Sequence, residues 1–464
     1  MNDKSIEDIY SREYYLTNEI SRGGQGVVYR TNDPDIAIKM ELDGERIKCD
    51  PTENKKYIQL CHLPIPEDLH ITRPLTTLKS VTGYTMNLLS DMISFDKAFS
   101  QMPAVLPNNE WIDSTFNDES LKQMGQLYRK YYASGGSRRR LQAYLKAAFV
   151  FSQLHENGLI YGDLNAENLF VSSIADSSYP AVWLIDADNV NYISNNSTGY
   201  YTQRYCAPEA SRGVFSFASD CYSFAVLLFE HITMQHPFEG SQYSEWDDFD
   251  GPVEDEIAKG SFAWIWDEDD DSNKLEPYLP PSYYLSDDLI SLFAQTFSDE
   301  ARQKPGKRPT IMEWSNTIAR LLDNTVVCTK CGMGFNALSH SDCPWCDAVI
   351  PMLTISCYQF SGATKKEIWK FHHEINDGDL IHIPMRAVGG FIQNDTDAFQ
   401  IIIRNDKITY SGFNNSIKCV YSQNDTIQPV FGKIELPIGT HIFIIKDTSD
   451  GYETEIEVHI NNGL

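Results

Sequence analysis

The most specific signal in this sequence is the stretch Leu154-His-Glu-Asn-Gly-Leu-Ile-Tyr-Gly-Asp-Leu-Asn-Ala-Glu-Asn-Leu-Phe170. It places Asp163 and Asn168 in a predicted loop between apolar residues. A second stretch, Val182-Trp-Leu-Ile-Asp-Ala-Asp188, is a predicted apolar strand that ends in Asp186. A single aspartate in a loop is usually a turn or cap residue, so these side chains are informative only as an ordered set.

A glycine-rich hairpin and a lysine-bearing strand precede these stretches. The segment Ile20-Ser-Arg-Gly-Gly-Gln-Gly-Val-Val-Tyr29 sets Gly23 and Gly26 between two predicted strands, where backbone amides can approach phosphate without a Cβ clash. Lys39 ends the next apolar strand, and an inward-facing lysine there needs an anionic partner. Glu53, which opens the following predicted helix, is the expected partner. Taken alone, the hairpin is more often a simple turn and Lys39 a surface residue.

In their order and spacing, these motifs resemble those of the protein kinase superfamily. The resemblance implies that Asp163 is the catalytic aspartate, which orients the attacking hydroxyl and accepts its proton. It implies that Asn168 and Asp186 are oxygen ligands of Mg²⁺ or Mn²⁺. Lys39 and Glu53 then correspond to the strand lysine and helix glutamate, a pair that holds the lysine ammonium over the phosphates of ATP.

The same resemblance implies an ATP site between two lobes. Met86 is expected at the gatekeeper position, followed by a hinge at 87–89 whose backbone binds adenine. The full predicted nucleotide-binding set is Gly23, Gly24, Gly26, Val28, Ala37, Lys39, Met86, Asn87, Leu89, Asn168 and Asp186. Downstream, Glu209 resembles the end of an activation segment and is expected to pair with Arg308, while Asp220 is expected to anchor the catalytic loop.

Several family positions differ in this chain. Gly162 replaces the arginine before the catalytic aspartate, and Asn165 replaces the lysine two residues after it. Ala187 and Asp188 replace the phenylalanine and glycine that follow the metal-binding aspartate. Asp188 is interpreted either as a plain loop residue or as an additional metal ligand. Because Asn165 removes a positive charge from the phosphate site, two functions stay open: an active serine/threonine kinase, or a pseudokinase that binds nucleotide with weak or no phosphotransfer.

The hydroxyl residues of the activation segment have two interpretations as well. They are either self-phosphorylation sites or parts of a polar linker, and they comprise Ser194, Ser197, Thr198 and Thr202.

Four of the ten cysteines form two close pairs with the spacing of a zinc ribbon. The pairs are Cys328/Cys331 and Cys343/Cys346. Four thiolates complete a tetrahedron around one metal ion and leave no open position, so we predict a structural Zn²⁺ and no catalytic one.

The pattern along the chain predicts an α+β architecture of three parts. Residues 1–325 are predicted to form a bilobal protein-kinase-like domain, with an N-lobe at about 14–90, built from a small sheet and one helix near 52–61, and a C-lobe at about 91–325. A zinc ribbon is predicted at 326–347 and an all-β sandwich at 348–464. The sandwich shows no catalytic pattern, so a protein-interaction role is the default.

Composition limits the partners of this chain. Its 464 residues include 65 acidic and 38 basic side chains, a formal net charge of −27. Such a charge repels phosphate backbones and anionic lipid, which argues against nucleic-acid and membrane partners. The longest apolar run, at 224–229, is far shorter than the ~20 residues of a membrane span. The first residues hold no apolar signal segment, so a cytoplasmic location is expected.

The kinase-like motifs fit the eukaryotic-like serine/threonine kinases of bacteria. The combination of kinase, zinc ribbon and β-module is also similar to the kinase of the bacterial TerY-P phosphorylation triad, a similarity of architecture and not of motif. These resemblances imply transfer of the γ-phosphoryl group of ATP to serine or threonine of a protein substrate, including the chain itself. They imply a von Willebrand factor A protein and a metal-dependent phosphatase as partners.

Overall fold

The computed structural model describes residues 5–24, 26–104, 106–173, 180–193, 201–246, 252–362, 364–389, 396–423, 426–448, 451 and 453–461. They form two compact units of mixed helix and sheet. Unit 1 comprises Met1–Gln101, Lys146–Glu276 and Ala294–Ile311, and unit 2 comprises Met102–Leu145, Pro277–Phe293 and Met312–Leu464. The domain boundaries near residues 325 and 347 stay predictions.

Unit 1 begins with an antiparallel sheet. Its strands are β1 (Ser5–Glu7), β2 (Glu13–Arg22), β3 (Gly26–Thr31), β4 (Ile36–Asp43), β5 (Arg46–Ile47), β6 (Thr76–Thr77) and β7 (Gly83–Asn87). Their order is β1-β2-β3-β4-β7-β6, with β5 paired to β4. Because side chains alternate along a strand, Val27, Ile38 and Met40 share one face and pack in a buried cluster with Tyr14 and Leu78.

The helices and the shorter strands follow in chain order. The α-helices are α1 (Lys55–Cys61), α2 (Glu110–Thr115), α3 (Lys122–Ala133), α4 (Gly136–Glu156), α5 (Phe217–Thr233), α6 (Ser241–Ser244), α7 (Val253–Lys259), α8 (Pro281–Tyr284), α9 (Asp287–Phe297), α10 (Asp299–Gln303), α11 (Ile311–Asp323) and α12 (Arg386–Gly389). The short strands are β8 (Met92–Ser94), β9 (Leu159–Ile160), β10 (Leu169–Ser172), β11 (Val182–Leu184), β12 (Asn191–Tyr192), β13 (Thr325–Val327) and β14 (Gly334–Asn336). They pair as β11-β10-β8, β12-β9 and β13-β14.

Helix α5 is the apolar helix of unit 1. Ser216 and Ser219 form a reciprocal capping box at its start, and almost all of its residues are buried. Asp220, in its first turn, accepts hydrogen bonds from the backbone amides of Tyr161 and Gly162 at 2.8 and 2.9 Å. The predicted anchoring of the catalytic loop by Asp220 is therefore confirmed.

The predicted buried ion pair is also present in unit 1. Arg308 donates to both carboxylate oxygens of Glu209, at 2.6 and 2.8 Å, and to the carbonyl oxygen of Ala301 at 3.0 Å. Both side chains are almost completely buried. A buried guanidinium is tolerated only with such partners, because an uncompensated charge costs several kcal/mol there.

The C-terminal part of unit 2 is strand-rich, as predicted. Its strands are β15 (Met352–Ser361), β16 (Thr364–Glu374), β17 (Leu380–Pro384), β18 (Asp397–Arg404), β19 (Lys407–Ser411), β20 (Ile417–Gln423), β21 (Thr426–Pro429), β22 (Lys433–Pro437), β23 (His441–Asp447) and β24 (Glu453–Asn461). They form antiparallel sheets in the orders β16-β15-β24-β23-β20-β21 and β17-β18-β19-β22. Tyr410 of β19 contacts Phe443 of β23, with ring centroids 4.7 Å apart.

Helix α11 contacts this strand-rich part through a buried carboxylate, among other groups. Asp323 accepts two hydrogen bonds from Arg386, at 2.6 and 2.8 Å, and one from the indole nitrogen of Trp369 at 2.9 Å.

Among the described helices, none has both the length and the apolar character that crossing a lipid bilayer requires.

Candidate active site and cysteine cluster

The register of three strands brings four of the predicted nucleotide-binding residues to one sheet face. Val28 of β3 lies opposite Lys39 of β4, and Lys39 lies opposite Tyr84 of β7. Ala37 of β4 lies opposite Met86 of β7. Since cross-strand partners point to the same side, this face is the one opposite the buried hydrophobic cluster of the sheet.

The hairpin before this face needs glycine at one position. A Cβ atom on Gly26 would lie 3.0 Å from the carbonyl oxygen of Met40, whereas Gly23 and Gly24 face open space. The amide of Gly23 donates to the carbonyl of Gly26 at 2.9 Å, which closes the turn. Gln25, between them, lies outside the described residues.

The predicted hinge follows directly on β7. Asn87 is the last residue of β7 and lies opposite Ile36. The next residue, Leu88, donates its amide to the carbonyl of Asp35 at 2.8 Å. Asn87 is exposed and Leu89 is half-buried.

Lys39 forms ion pairs with two aspartates. Its Nζ lies 2.7 Å from Asp186 Oδ1 and 2.8 Å from Asp188 Oδ2. Burial by itself would lower the pKa of Lys39, but the two carboxylates outweigh it and raise the pKa. Burial raises the pKa of Asp188, against the opposing effect of Lys39. The charged lysine is therefore held by aspartates from the segment after β11.

The prediction of a Lys39–Glu53 ion pair is wrong. Glu53 is exposed and pairs with Lys48. The reason is the local geometry, because a 3-10 turn at Pro51–Asn54 precedes helix α1. The inward-facing positions of this segment are taken by Asn54 and Tyr57.

Asp163 is held by a residue that the sequence had assigned to a flexible segment or a phosphorylation site. Its Oδ1 accepts hydrogen bonds from the amide and the hydroxyl of Thr202, both at 2.9 Å. Asn165 also donates to the Thr202 hydroxyl, at 3.1 Å. Burial raises the pKa of Asp163, and the Thr202 hydrogen bonds oppose that effect. Ser194, Ser197 and Thr198 lie outside the described residues.

Asn168 and Asp186 lie beside Asp163 and Lys39 respectively. The amide nitrogen of Asn168 donates to the Asp163 carbonyl oxygen at 3.0 Å. The carbonyl of Asn168 accepts from the amide of Ile185 at 2.9 Å, which ties it to the residue before Asp186. Asp186 has a left-handed backbone, with φ of 59°. For a residue other than glycine this costs ~1–3 kcal/mol, a strain that is typical of functional sites.

Two contributors to this site were missed or misread in the sequence. Asp188, which the sequence leaves open as a loop residue or a metal ligand, binds Lys39 and accepts a hydrogen bond from the Tyr84 hydroxyl at 2.8 Å. Tyr84 is fully buried, and nothing in its sequence context distinguishes it from a core tyrosine. The spacing of Asp188 from Asp186 was the available signal.

The four paired cysteines of unit 2 converge. All four Sγ atoms lie within 4.8 Å of one another, with Cys328–Cys346 at 3.7 Å and Cys331–Cys343 at 3.6 Å. A tetrahedral site with metal–sulfur bonds of about 2.3 Å requires sulfur–sulfur separations of about 3.8 Å, so the cluster could hold a zinc ion. The amides of Lys330 and Cys331 donate to Cys328 Sγ, both at 3.4 Å.

The cysteine cluster is packed against aromatic residues of unit 2. Trp345 donates its indole N–H to the carbonyl of Gly334 at 3.0 Å, and its ring lies 5.0 Å from that of Tyr283. Gly332 has a φ of 72°, and a Cβ there would lie 2.4 Å from the ring of Tyr132. The cluster is thus part of the core of unit 2.

Comparison with known proteins finds matches to the segment that contains Asp163 and Asn168. The family model of the protein kinase domain matches residues 117–317, which include Asp163, Asn168 and Asp186. Over 138 residues the chain is 31 % identical to the serine/threonine-protein kinase AtPK1/AtPK6 of Arabidopsis thaliana, covering 29 % of this chain and 28 % of that protein. Over 239 residues it is 23 % identical to the probable serine/threonine-protein kinase PknB of Lactococcus lactis, covering 51 % and 34 %.

A third relative is matched over a longer segment. The chain is 24 % identical over 329 residues to the cysteine-rich receptor-like protein kinase 7 of Arabidopsis thaliana, covering 67 % of this chain and 43 % of that protein. The chain thus spans about a third of the length of the first two relatives and less than half of the third. The family match and these relatives show that residues 117–317 are similar to protein kinase domains, including those of serine/threonine kinases.

Proposed function

We propose that this chain is an ATP- and Mg²⁺-dependent protein kinase that phosphorylates serine or threonine of a protein substrate. The observation that carries the proposal is the convergence in unit 1 of Lys39, Asp163, Asn168 and Asp186, which come from three separate segments. Phosphoryl transfer needs little covalent chemistry from the protein, so cations and positioning account for most of the catalysis.

The residues present fit Mg²⁺, the cation that phosphoryl transfer from ATP requires. Asp186 and Asn168 offer carboxylate and amide oxygens, which are the ligands that Mg²⁺ prefers. Because the amide nitrogen of Asn168 donates to the Asp163 carbonyl, its amide oxygen is left to face a cation. Bound Mg²⁺·ATP supplies the γ-phosphoryl group and neutralises its negative charge.

Two side chains then act on the substrates, and a third positions one of them. Lys39, kept charged by its aspartates, binds phosphate oxygens on the sheet face of β3, β4 and β7. Asp163 orients the substrate hydroxyl and accepts its proton, a role helped by a pKa above that of an exposed aspartate. Thr202 fixes one oxygen of Asp163 and leaves the other for the substrate.

We further propose roles for the C-terminal elements. The four-cysteine cluster is proposed as a zinc ribbon with a structural Zn²⁺, and the two antiparallel sheets as a β-sandwich that binds proteins. A cytoplasmic bacterial signalling role, with a von Willebrand factor A protein and a metal-dependent phosphatase as partners, remains a proposal from the architectural resemblance.

The test is a labelled-ATP transfer assay with Mg²⁺, in which the chain itself and candidate proteins are offered as acceptors. We expect labelled phosphoserine or phosphothreonine, lost by at least 100-fold in Asp163→Ala and Asp186→Asn. Asp269→Asn, in an exposed loop, is the matched control and should transfer normally.

Two results would change the conclusion. Nucleotide binding without any transfer would identify a pseudokinase. Nucleotide binding undiminished by both Lys39→Ala and Asp186→Asn would show that the nucleotide site lies elsewhere.

A further inference from the structure

Helix α1 turns an aromatic ring, and not a carboxylate, towards the cluster around Lys39. Tyr57 is buried, its ring centroid lies 4.6 Å from that of Tyr84, and its hydroxyl donates to Glu41 at 2.5 Å. Glu53 lies outside this cluster, where it pairs with Lys48. The ammonium of Lys39 therefore takes its anionic partners from another segment.

That segment is the 3-10 turn at Ala187–Asn189, which carries Asp188. Lys39 and Tyr84 are cross-strand neighbours on β4 and β7. They contact opposite oxygens of the same carboxylate, since Lys39 Nζ lies 2.8 Å from Asp188 Oδ2 and the Tyr84 hydroxyl donates to Oδ1 at 2.8 Å. The register of β4 and β7 thus fixes the Asp188 carboxylate by two contacts, one from Lys39 and one from Tyr84.

The two aspartates that contact Lys39 differ in their surroundings. The side chain of Asp186 is 39 % exposed, whereas that of Asp188 is 20 % exposed. A cation that enters from solvent therefore meets Asp186 first. Both carboxylate oxygens of Asp188 contact protein groups. If Asp188 moved away from Lys39, it would also lose its hydrogen bond from the buried Tyr84.

We propose that Asp188 is the positioning residue of Lys39, which keeps the ammonium directed at the nucleotide phosphates while Asp186 is engaged with Mg²⁺. This inference rests on the proposed function. The role is the one that the sequence assigns to Glu53, supplied here by the turn after the metal-binding aspartate. Tyr84 supports it, because its hydroxyl fixes the second oxygen of Asp188.

A double-mutant cycle between Lys39 and Asp188 tests this role. We expect Asp188→Asn to lower kcat/KM for ATP by at least tenfold in the unaltered chain, and by less than twofold in a Lys39→Met background. Asp188→Glu, which keeps the charge, should recover part of the loss. The Mg²⁺ concentration for half-maximal activity should stay within twofold in Asp188→Asn and rise strongly in Asp186→Asn.

Two outcomes would overturn the role of Asp188. Equal losses from Asp188→Asn with and without Lys39 would mean that it acts only on the fold. A raised Mg²⁺ requirement in Asp188→Asn, equal to that in Asp186→Asn, would make it a metal ligand.

The same double-mutant cycle is also measured by the binding affinity for a fluorescent ADP analogue. This measurement requires no phosphotransfer. If the unaltered chain binds the analogue but transfers nothing, the kinase proposal fails while the coupling between Lys39 and Asp188 is still measured. Independent effects of the two substitutions on that affinity would then overturn the positioning role.

Discussion

Arg138 of helix α4 and Glu374 of strand β16 form a bidentate ion pair in unit 2, and both guanidinium–carboxylate distances are 2.5 Å. Arg138 also donates to the carbonyl of Thr325 at 2.6 Å, and Glu374 accepts from the amide of Val327 at 3.0 Å. Burial alone would raise the pKa of Glu374, but Arg138 outweighs it and lowers the pKa to about 2. The pair ties α4, β13 and β16 together.

Breaking this pair from one side should destabilise unit 2 strongly. Arg138→Met leaves the Glu374 carboxylate buried without its cation, and we expect a loss of about 3–5 kcal/mol in the free energy of unfolding. Denaturant unfolding followed by tryptophan fluorescence measures it. Arg129→Met, which breaks an exposed pair with Asp113, is the control and should cost less than about 1 kcal/mol. Equal losses of unfolding free energy in the two variants would contradict a stabilising role for the buried pair of Arg138 and Glu374.

Unit 2 should lose stability in mild acid through His372. Burial and the nearby Lys370 lower the pKa of His372 to about 4, and its Nδ1 lies 2.7 Å from Asn324 Oδ1. The folded pKa lies below the unfolded value of about 6.5, so this contribution is complete above pH 6.5 and is lost as the pH falls towards 4.

The slope of stability against pH measures this contribution. One such group changes the unfolding free energy by up to about 1.4 kcal/mol per pH unit between those values. His372→Gln should reduce that slope by about one proton, and urea unfolding at pH 7.5, 6 and 5 supplies the comparison. An unchanged slope would show that His372 does not titrate on unfolding.

Loss of the metal ion should destabilise the helical part of unit 2 as well as the turns that carry the four paired cysteines. Cys343→Ser is expected to abolish bound zinc and to lower the melting temperature, because Trp345 and Gly332 pack against Tyr283 and Tyr132 of the helical part of unit 2. Metal analysis and differential scanning fluorimetry are the measurements. Cys49→Ser, at an exposed thiol, should change neither. Zinc stoichiometry that survives Cys343→Ser would remove the metal site.

The hydroxyl of Thr202 should matter for turnover more than for nucleotide binding. Thr202→Val removes the bond from the hydroxyl to Asp163, and a hydrogen bond to a charged group is worth ~1.5–3 kcal/mol. We expect kcat to fall roughly tenfold to a hundredfold with an unchanged KM for ATP. Thr202→Ser keeps the hydroxyl and should stay near the unaltered rate. A loss as large in Thr202→Ser would point to the methyl group.

Some buried pairings followed from the order of motifs. Glu209 and Arg308 are about a hundred positions apart, yet their pairing was predicted, as was the anchoring of the catalytic loop by Asp220. Both rest on motifs whose spacing is specific, so the resemblance transfers residue by residue. The cysteine convergence was predicted for a different reason, because two short pairs of thiols carry their geometry in their own turns.

Other contacts had no local signal that named the partner. The basic run 138–140 leaves open a solvated helix end or a site for an acidic partner or phosphate, and only the position of Arg138 opposite β16 identifies the partner as Glu374. Thr202 looks like one hydroxyl among several in a polar segment, and its contact with Asp163 depends on how that segment returns to the catalytic loop.

The amino-acid sequence by itself determined the types of element and the polar groups available for chemistry, namely Lys39, Asp163, Asn168, Asp186 and the four paired cysteines. Alternation, apolar periodicity and motif spacing are local properties, so they can be read without coordinates. The tertiary structure alone decided which anion holds Lys39. That choice depends on the 3-10 turn before α1, which directs Glu53 to solvent, and on the register of β4 and β7, which sets Lys39 beside Tyr84 and so over Asp188.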